Sequence, residues 1–210
     1  MIKLAYCNVA DLDLERSYRL LPENRKNKVD HFRFKKDKCL SAGAFLLLRK
    51  MLEEENVVKP IFEFGKYDKS YISNYENIYF NLSHSGKIAA CAISDKEIGV
   101  DVEYIDFTID LDIAKNYFFN MEYDSIMHSN NPSVEFFNYW VLKESYMKYT
   151  GLGFNLNLDE FEIVIDDNIY LNNDKNNLEF SLFDLDEYKL ATCGHYKIND
   201  VKEYSIDDLY

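Results

Sequence analysis

The chain is short of the residues that interrupt or staple a fold. Among 210 residues there are only 7 Gly and 3 Pro, so no low-complexity linker separates independent units. Cys7, Cys39, Cys91 and Cys193 are scattered through apolar stretches without metal-ligand or redox spacing. That pattern reads as buried, reduced thiols rather than a disulfide framework or a zinc site. No window holds eighteen consecutive apolar residues, which excludes a transmembrane helix. The first residues carry Lys3 and then Asp11, Asp13 and Glu15, unlike a signal peptide. A cytoplasmic protein with no membrane contact is expected. Positive charge is also scarce: 24 Lys+Arg face 37 Asp+Glu, a net charge of −13. General nucleic-acid binders are normally basic, so a nucleic-acid partner is not expected, and any anionic ligand needs a local basic site. What is abundant is apolar surface. Apolar residues make up 47% of the chain, with 17 Tyr and 15 Phe, enough for one large domain or two small ones.

Hydrophobic periodicity places a strand over 2–9 and a long helix over 36–55, where Leu40, Ala44, Leu47, Leu48, Met51 and Leu52 recur at helical spacing. Short strands are predicted at 61–64, 78–82, 88–93 and 98–103. Ser83-His84-Ser85-Gly86 reads as a turn, and Ser94-Asp95-Lys96 as a hairpin turn. A helix is predicted from about 109, a second over 122–128, and a long one from Pro132 to about 149, stopped by Gly151. Strands follow at 161–165, 178–183 and 190–195. Each half thus holds one long helix and a few strands, which suggests two α+β lobes, 1–104 and 105–210. No residue-level repeat is visible.

Four segments have the composition of a site. In Gly99-Val100-Asp101-Val102-Glu103, strand alternation sends the apolar residues to one face and Asp101 and Glu103 to the other. Paired carboxylates repel unless a cation compensates, and they are hard ligands suited to Mg²⁺; an ordinary exposed strand face is the plainer reading. In Trp140-Val141-Leu142-Lys143-Glu144-Ser145-Tyr146-Met147-Lys148, Trp140, Glu144 and Lys148 share a helix face; a surface Glu–Lys pair explains the last two but not the only Trp. Phe80-Asn81-Leu82-Ser83-His84-Ser85 offers hydroxyls and an imidazole to a phosphate, or is a plain turn. Residues 23–38 hold seven basic side chains (Arg25, Lys26, Lys28, Arg33, Lys35, Lys36, Lys38) against three acidic ones, either a phosphate patch or a solvated helix face.

Together these segments resemble the 4′-phosphopantetheinyl transferases of the monomeric, two-lobed type. The family pattern is Gly-Val/Ile-Asp-Val/Ile-Glu followed some forty residues later by Trp-x-x-Lys-Glu-Ser/Ala-x-x-Lys, with a preceding Phe-Asn-hydrophobic-Ser-His-Ser element. The likeness runs from about residue 22 to 153. It implies two similar lobes in a pseudo-twofold arrangement, each a long helix on a small, mainly antiparallel sheet, with one active site at the lobe interface of a monomer. It assigns Asp101, Glu103 and Glu144 to Mg²⁺, with Mn²⁺ a possible substitute. It places Ser83 and His84 near the phosphates of coenzyme A, Lys148 at the diphosphate and Lys143 close by. Arg25 and Lys28 fall where the family holds the 3′-phosphate, and Ser41 where a hydroxyl often helps. Gly65-Lys66 matches a Gly-Lys-Pro element near the adenine, although Tyr67 replaces the Pro. Arg25 replaces a frequent Lys, and Leu40 a frequent Arg.

The activity implied is transfer of the phosphopantetheine arm of coenzyme A to a serine of an apo acyl, peptidyl or aryl carrier protein, releasing 3′,5′-ADP. Glu144, Lys148 and His84 are the expected catalytic groups, with Glu144 as base. The aromatic run Tyr117-Phe118-Phe119 is either a carrier-docking surface or core. Two alternatives use the same residues: a metal-dependent phosphohydrolase of coenzyme A, and a non-catalytic coenzyme A-binding module.

Overall fold

A computed structural model describes residues 2–210. The chain runs through one order of elements twice. The first pass is β1 (Ile2–Asn8), α1 (Leu14–Leu20), α2 (Glu23–Asp30), the long α3 (Lys35–Glu54), a short hairpin β2 (Phe62–Phe64) and β3 (Ser70–Ile72), and a long hairpin β4 (Tyr79–Ser85) and β5 (Ile88–Ser94). The second is β6 (Ile98–Tyr104), α4 (Asp112–Tyr117), α5 (Asn120–His128), the long α6 (Pro132–Thr150), the short hairpin β7 (Ile163–Ile165) and β8 (Ile169–Leu171), and the long hairpin β9 (Glu179–Leu185) and β10 (Tyr188–Gly194). A last strand, β11 (Lys202–Tyr204), follows.

The fold is α+β. One sheet has the order β11-β1-β5-β4 and the other β6-β10-β9. All pairings are antiparallel except β11, which lies parallel to β1. Each long helix covers one sheet. Leu47, Leu48 and Met51 of α3 share a buried cluster with Ala5, Cys7, Cys91 and Ile93. Phe136, Val141 and Leu142 of α6 do the same with Phe180, Ala191 and Cys193. The opposite faces of the sheets meet in a third cluster, where Leu4, Ala90 and Ala92 join Val100, Val102 and Leu190. The four cysteines are buried and unpaired. Among the described residues no helix is long and apolar enough to cross a membrane.

Local chemistry explains where α6 begins and ends. The side chain of Asn131 accepts a hydrogen bond from the N–H of Val134, and Pro132 opens the first turn, where its missing N–H costs nothing. Gly151 closes the helix in the left-handed region, φ 70°.

Three sequence expectations change. Ser83, His84 and Ser85 are strand, not turn: β4 runs to Ser85 and the chain reverses at Gly86 and Lys87. Ser94-Asp95-Lys96 does not make a hairpin turn: Ser94 ends β5, and β5 and β6 enter different sheets. For the same reason the strand carrying Asp101 and Glu103 opens the second sheet instead of closing the first lobe. The C-terminus returns to the first lobe, where Tyr204 and Leu209 join the cluster under α3. A cut at 104/105 therefore separates the helices but not the sheets.

Candidate active site

The site forms along the seam between the two sheets. β6 pairs with β10 on one edge only, and an open edge leaves alternate N–H groups needing acceptors. Side chains of β4 supply them. Asn81 Oδ1 accepts from Val100 N–H (3.1 Å), Ser83 Oγ from Val102 N–H (3.3 Å) and Ser85 Oγ from Tyr104 N–H (3.2 Å). The two hydroxyls then donate onward, Ser83 to Asp101 Oδ1 (2.8 Å) and Ser85 to Glu103 Oε2 (2.6 Å). The sequence drew attention to Ser83 but gave Asn81 and Ser85 no such part.

Gly99 lets α6 cross β6 at close range. A Cβ there would lie inside the contact distance of the Ser145 carbonyl oxygen and 2.5 Å from the Tyr149 nitrogen. With the helix seated so low, Lys148 reaches Asp101 Oδ1 at 2.6 Å and Ser83 Oγ at 2.8 Å. Asp101 is 2% exposed, which overturns the plainer reading of an open strand face.

These groups line a cleft of about 430 Å³. Glu103, Glu144 and Trp140 line it with them, as do Ser83 and His84 of β4 and Arg25 and Lys28 of α2. The electrostatics follow from burial. Asp101 is raised by desolvation, with Lys148 and Ser83 opposing. Glu103 is pushed up to about 7 by desolvation and by Asp101. Glu144 rises for the same two reasons. Desolvation and the Lys148 charge lower the His84 imidazole, which is therefore neutral near pH 7. Desolvation lowers Arg25 to about 10. Its guanidinium donates to the Ser41 carbonyl (2.7 Å), while its Nε has no hydrogen-bond partner among the described residues.

Not every expected residue reaches the cleft. Ser41 is buried behind Arg25 with an unpartnered hydroxyl. Lys66 lines an adjoining cavity of about 330 Å³ with Tyr67, Tyr79 and Gly151. Lys143 faces away from the expected diphosphate position altogether. It is fully buried, paired with Glu122 at 2.9 Å, and donates to the carbonyls of Leu158 (2.8 Å) and Phe161 (2.7 Å). Burial pushes the Lys143 ammonium down and the Glu122 carboxyl up. The sequence carried a signal for this: Phe136, Tyr139, Lys143 and Met147 recur on one helix face, and the other three are apolar. The aromatic run also splits. Phe118 is core, stacked on Phe136 at 5.6 Å, whereas Tyr117 is exposed. Lys69 had no motif to announce it. It lines the cleft and ties the lobes by donating to Glu97 (2.6 Å) and to the Tyr149 carbonyl (2.9 Å).

Among the described residues, no three His, Cys, Asp or Glu side chains lie close enough together to hold a metal ion as they stand. The donor set nevertheless suits a hard divalent cation. Asp101, Glu103 and Glu144 offer carboxylate oxygens, burial disfavours their charge, and Asp101 Oδ2 is buried without a hydrogen-bond partner among the described residues.

Comparison with known proteins decides the family. A protein from Bacillus subtilis named 4′-phosphopantetheinyl transferase is 31% identical over 190 residues, covering 86% of this chain and 84% of its own length. The chain belongs to the 4′-phosphopantetheinyl transferase family. A second relative, 4′-phosphopantetheinyl transferase Sfp of Bacillus subtilis strain 168, is 27% identical over the same shares. The L-aminoadipate-semialdehyde dehydrogenase-phosphopantetheinyl transferase of Xenopus laevis is 30% identical over 165 residues, 69% of this chain and 55% of its own. The model of the 4′-phosphopantetheinyl transferase superfamily matches residues 97–193. That interval coincides with the second pass of the fold, β6 to β10, the half that carries Asp101, Glu103 and Glu144.

Proposed function

We propose that the protein transfers 4′-phosphopantetheine from coenzyme A to a serine hydroxyl of an apo carrier protein, in a Mg²⁺-dependent reaction that releases 3′,5′-ADP. The observation that carries this reading is the cleft itself. It gathers three carboxylates, Asp101, Glu103 and Glu144, with the cations Arg25, Lys28 and Lys148 and the donors Ser83 and His84. A diphosphate with a further phosphate and a divalent cation suits that combination of charges.

Arg25 and Lys28 bind the 3′-phosphate, with the orphaned Nε of Arg25 as a ready donor. Lys148 and His84 donate to the diphosphate oxygens, where negative charge grows as the phosphorus–oxygen bond to the nucleotide breaks. Asp101, Glu103 and Glu144 would hold Mg²⁺, whose chemistry when bound is to neutralise that charge. Glu144, raised by burial, accepts the proton of the carrier serine as its oxygen attacks the phosphorus that bears the pantetheine. Both passes of the fold contribute to the cleft, as in the monomeric, two-lobed type that the sequence resembles.

The test is incubation with coenzyme A, Mg²⁺ and a panel of apo carrier proteins, with each carrier read by intact mass. Gain of one phosphopantetheine, abolished by chelator, is the expected result. Free phosphopantetheine with unmodified carriers would instead identify a hydrolase. Intact coenzyme A throughout would identify a binding module. Glu144→Gln retaining near-normal turnover would remove the base from Glu144.

A further inference from the structure

Lys148 stands where an incoming cation would have to bind. Its ammonium rests on Asp101 Oδ1 at 2.6 Å and on Ser83 Oγ at 2.8 Å. The Asp101 side chain is 3% exposed, that of Lys148 28%. The cation can therefore swing into the cleft while the carboxylate cannot leave. Ser83 is saturated: it donates to Asp101 and accepts from Lys148 and from Val102 N–H. Asp101 keeps one free acceptor, Oδ2. Glu103 is held by Ser85 at 2.6 Å. Among the described residues, no three acidic, His or Cys side chains are gathered closely enough to hold a metal ion.

A buried carboxylate needs a counter-charge, and Lys148 supplies one. A divalent ion on Asp101 would supply another, and two cations on one buried carboxylate repel each other at such range. An arriving anion that takes up the lysine removes that repulsion. We propose that Lys148 is an internal counter-ion that closes the carboxylates of the cleft to free divalent cations, and that the coenzyme A diphosphate draws it off Asp101 and so opens the site to the metal. The second half of this statement rests on the functional reading above; the first rests on the Lys148–Asp101–Ser83 contacts alone. Lys148 is then specificity-determining for the order of binding, in addition to touching substrate.

The test needs no carrier and no turnover. Binding of Mn²⁺ to the free protein is measured by the loss of its aqueous paramagnetic resonance signal, with and without saturating coenzyme A. Lys148→Met is expected to bind Mn²⁺ about tenfold tighter than wild type without coenzyme A, within the usual range of coupling between sites. Lys148→Arg is expected to bind like wild type. Lys28→Met removes another cation lining the same cleft and is expected to change the affinity by less than about threefold. With coenzyme A bound, the advantage of Lys148→Met is expected to shrink to about threefold or less, because the lysine has already left. No tightening in Lys148→Met, or equal tightening in Lys28→Met, overturns the counter-ion role. An advantage that survives coenzyme A undiminished overturns the release by diphosphate. If Lys148→Met does not fold, as judged by circular dichroism, Lys148→Gln replaces it with the same expected direction. Absence of carrier modification in the mass assay with the Mn²⁺ pattern intact would remove the transferase reading and leave the counter-ion in place.

Discussion

The fourth residue of β1 is Ala5 and the fourth of β6 is Asp101; the sixth are Cys7 and Glu103. Both strands pair antiparallel over seven positions with the last strand of the following long hairpin, so these are counterparts in a twice-used scaffold. In the first copy the pair is apolar and packs beneath α3. In the second it is anionic and faces Glu144 and Lys148 of α6. The helices differ in the same sense. Among the buried residues of α3 none is charged, whereas α6 buries Lys143. One copy has spent its helix–sheet interface on a dry core; the other gives up that stabilisation for a charged cleft. The first copy contributes from elsewhere, through Arg25 and Lys28 on α2 and Ser83 and His84 on β4.

The largest effect should come from the buried charge on the far side of α6. Lys143→Ala leaves Glu122 unpaired in the core and should cost about 3–5 kcal/mol in urea unfolding. The double variant Glu122→Gln with Lys143→Met should recover most of that loss. A stable Lys143→Ala with a raised KM for coenzyme A would return Lys143 to the substrate. Next, Asp101→Ala makes the second copy resemble the first. Transfer should fall about 10²–10³-fold, while the melting temperature holds or rises because a desolvated charge is gone.

Gly99→Ala tests the close crossing that the first copy lacks. Its counterpart on β1 is the exposed Lys3. The added Cβ meets helix backbone, not a movable side chain, so a loss of about 1–3 kcal/mol is expected. Lys3→Ala should cost under about 1 kcal/mol. A smaller effect than that of the buried pair is on pH. Glu103 protonates near pH 7 in the folded, metal-free protein and in the ordinary carboxylate range when unfolded. The folded state thus binds the extra proton between the two values, and this group's contribution falls as pH rises through that window. Glu103→Gln should match wild type near pH 5 and exceed it by about 1–2 kcal/mol at pH 8 without metal. A difference independent of pH would contradict the raised value.

The motifs on β6 and α6 were legible because carboxylates at strand spacing and a Trp–Glu–Lys stripe at helical spacing need only local periodicity. Their burial was not, because it depends on where α6 crosses, and that is set by a contact between Gly99 and residues some fifty positions away. Lys143 and Lys148 look alike in sequence and face different surroundings, one beneath aromatic rings and the other on Asp101. Asn81 and Ser85 acquired a role only when β6 proved to have an open edge, and that followed from β5 and β6 entering different sheets. The double use of one fold left no trace at residue level, since the counterparts Ala5 and Asp101, or Lys3 and Gly99, share no chemistry.

The proposed mechanism divides the work unequally: Arg25 and Lys28 of the first copy hold the 3′-phosphate, whereas the carboxylates of the second carry the metal chemistry, with His84 of the first assisting at the diphosphate. Calorimetric titration of 3′,5′-ADP into Asp101→Ala without metal tests it directly. The expected result is an affinity equal to or tighter than wild type in a protein that no longer modifies carriers. A loss of about tenfold or more would put the nucleotide on the carboxylates and contradict the division.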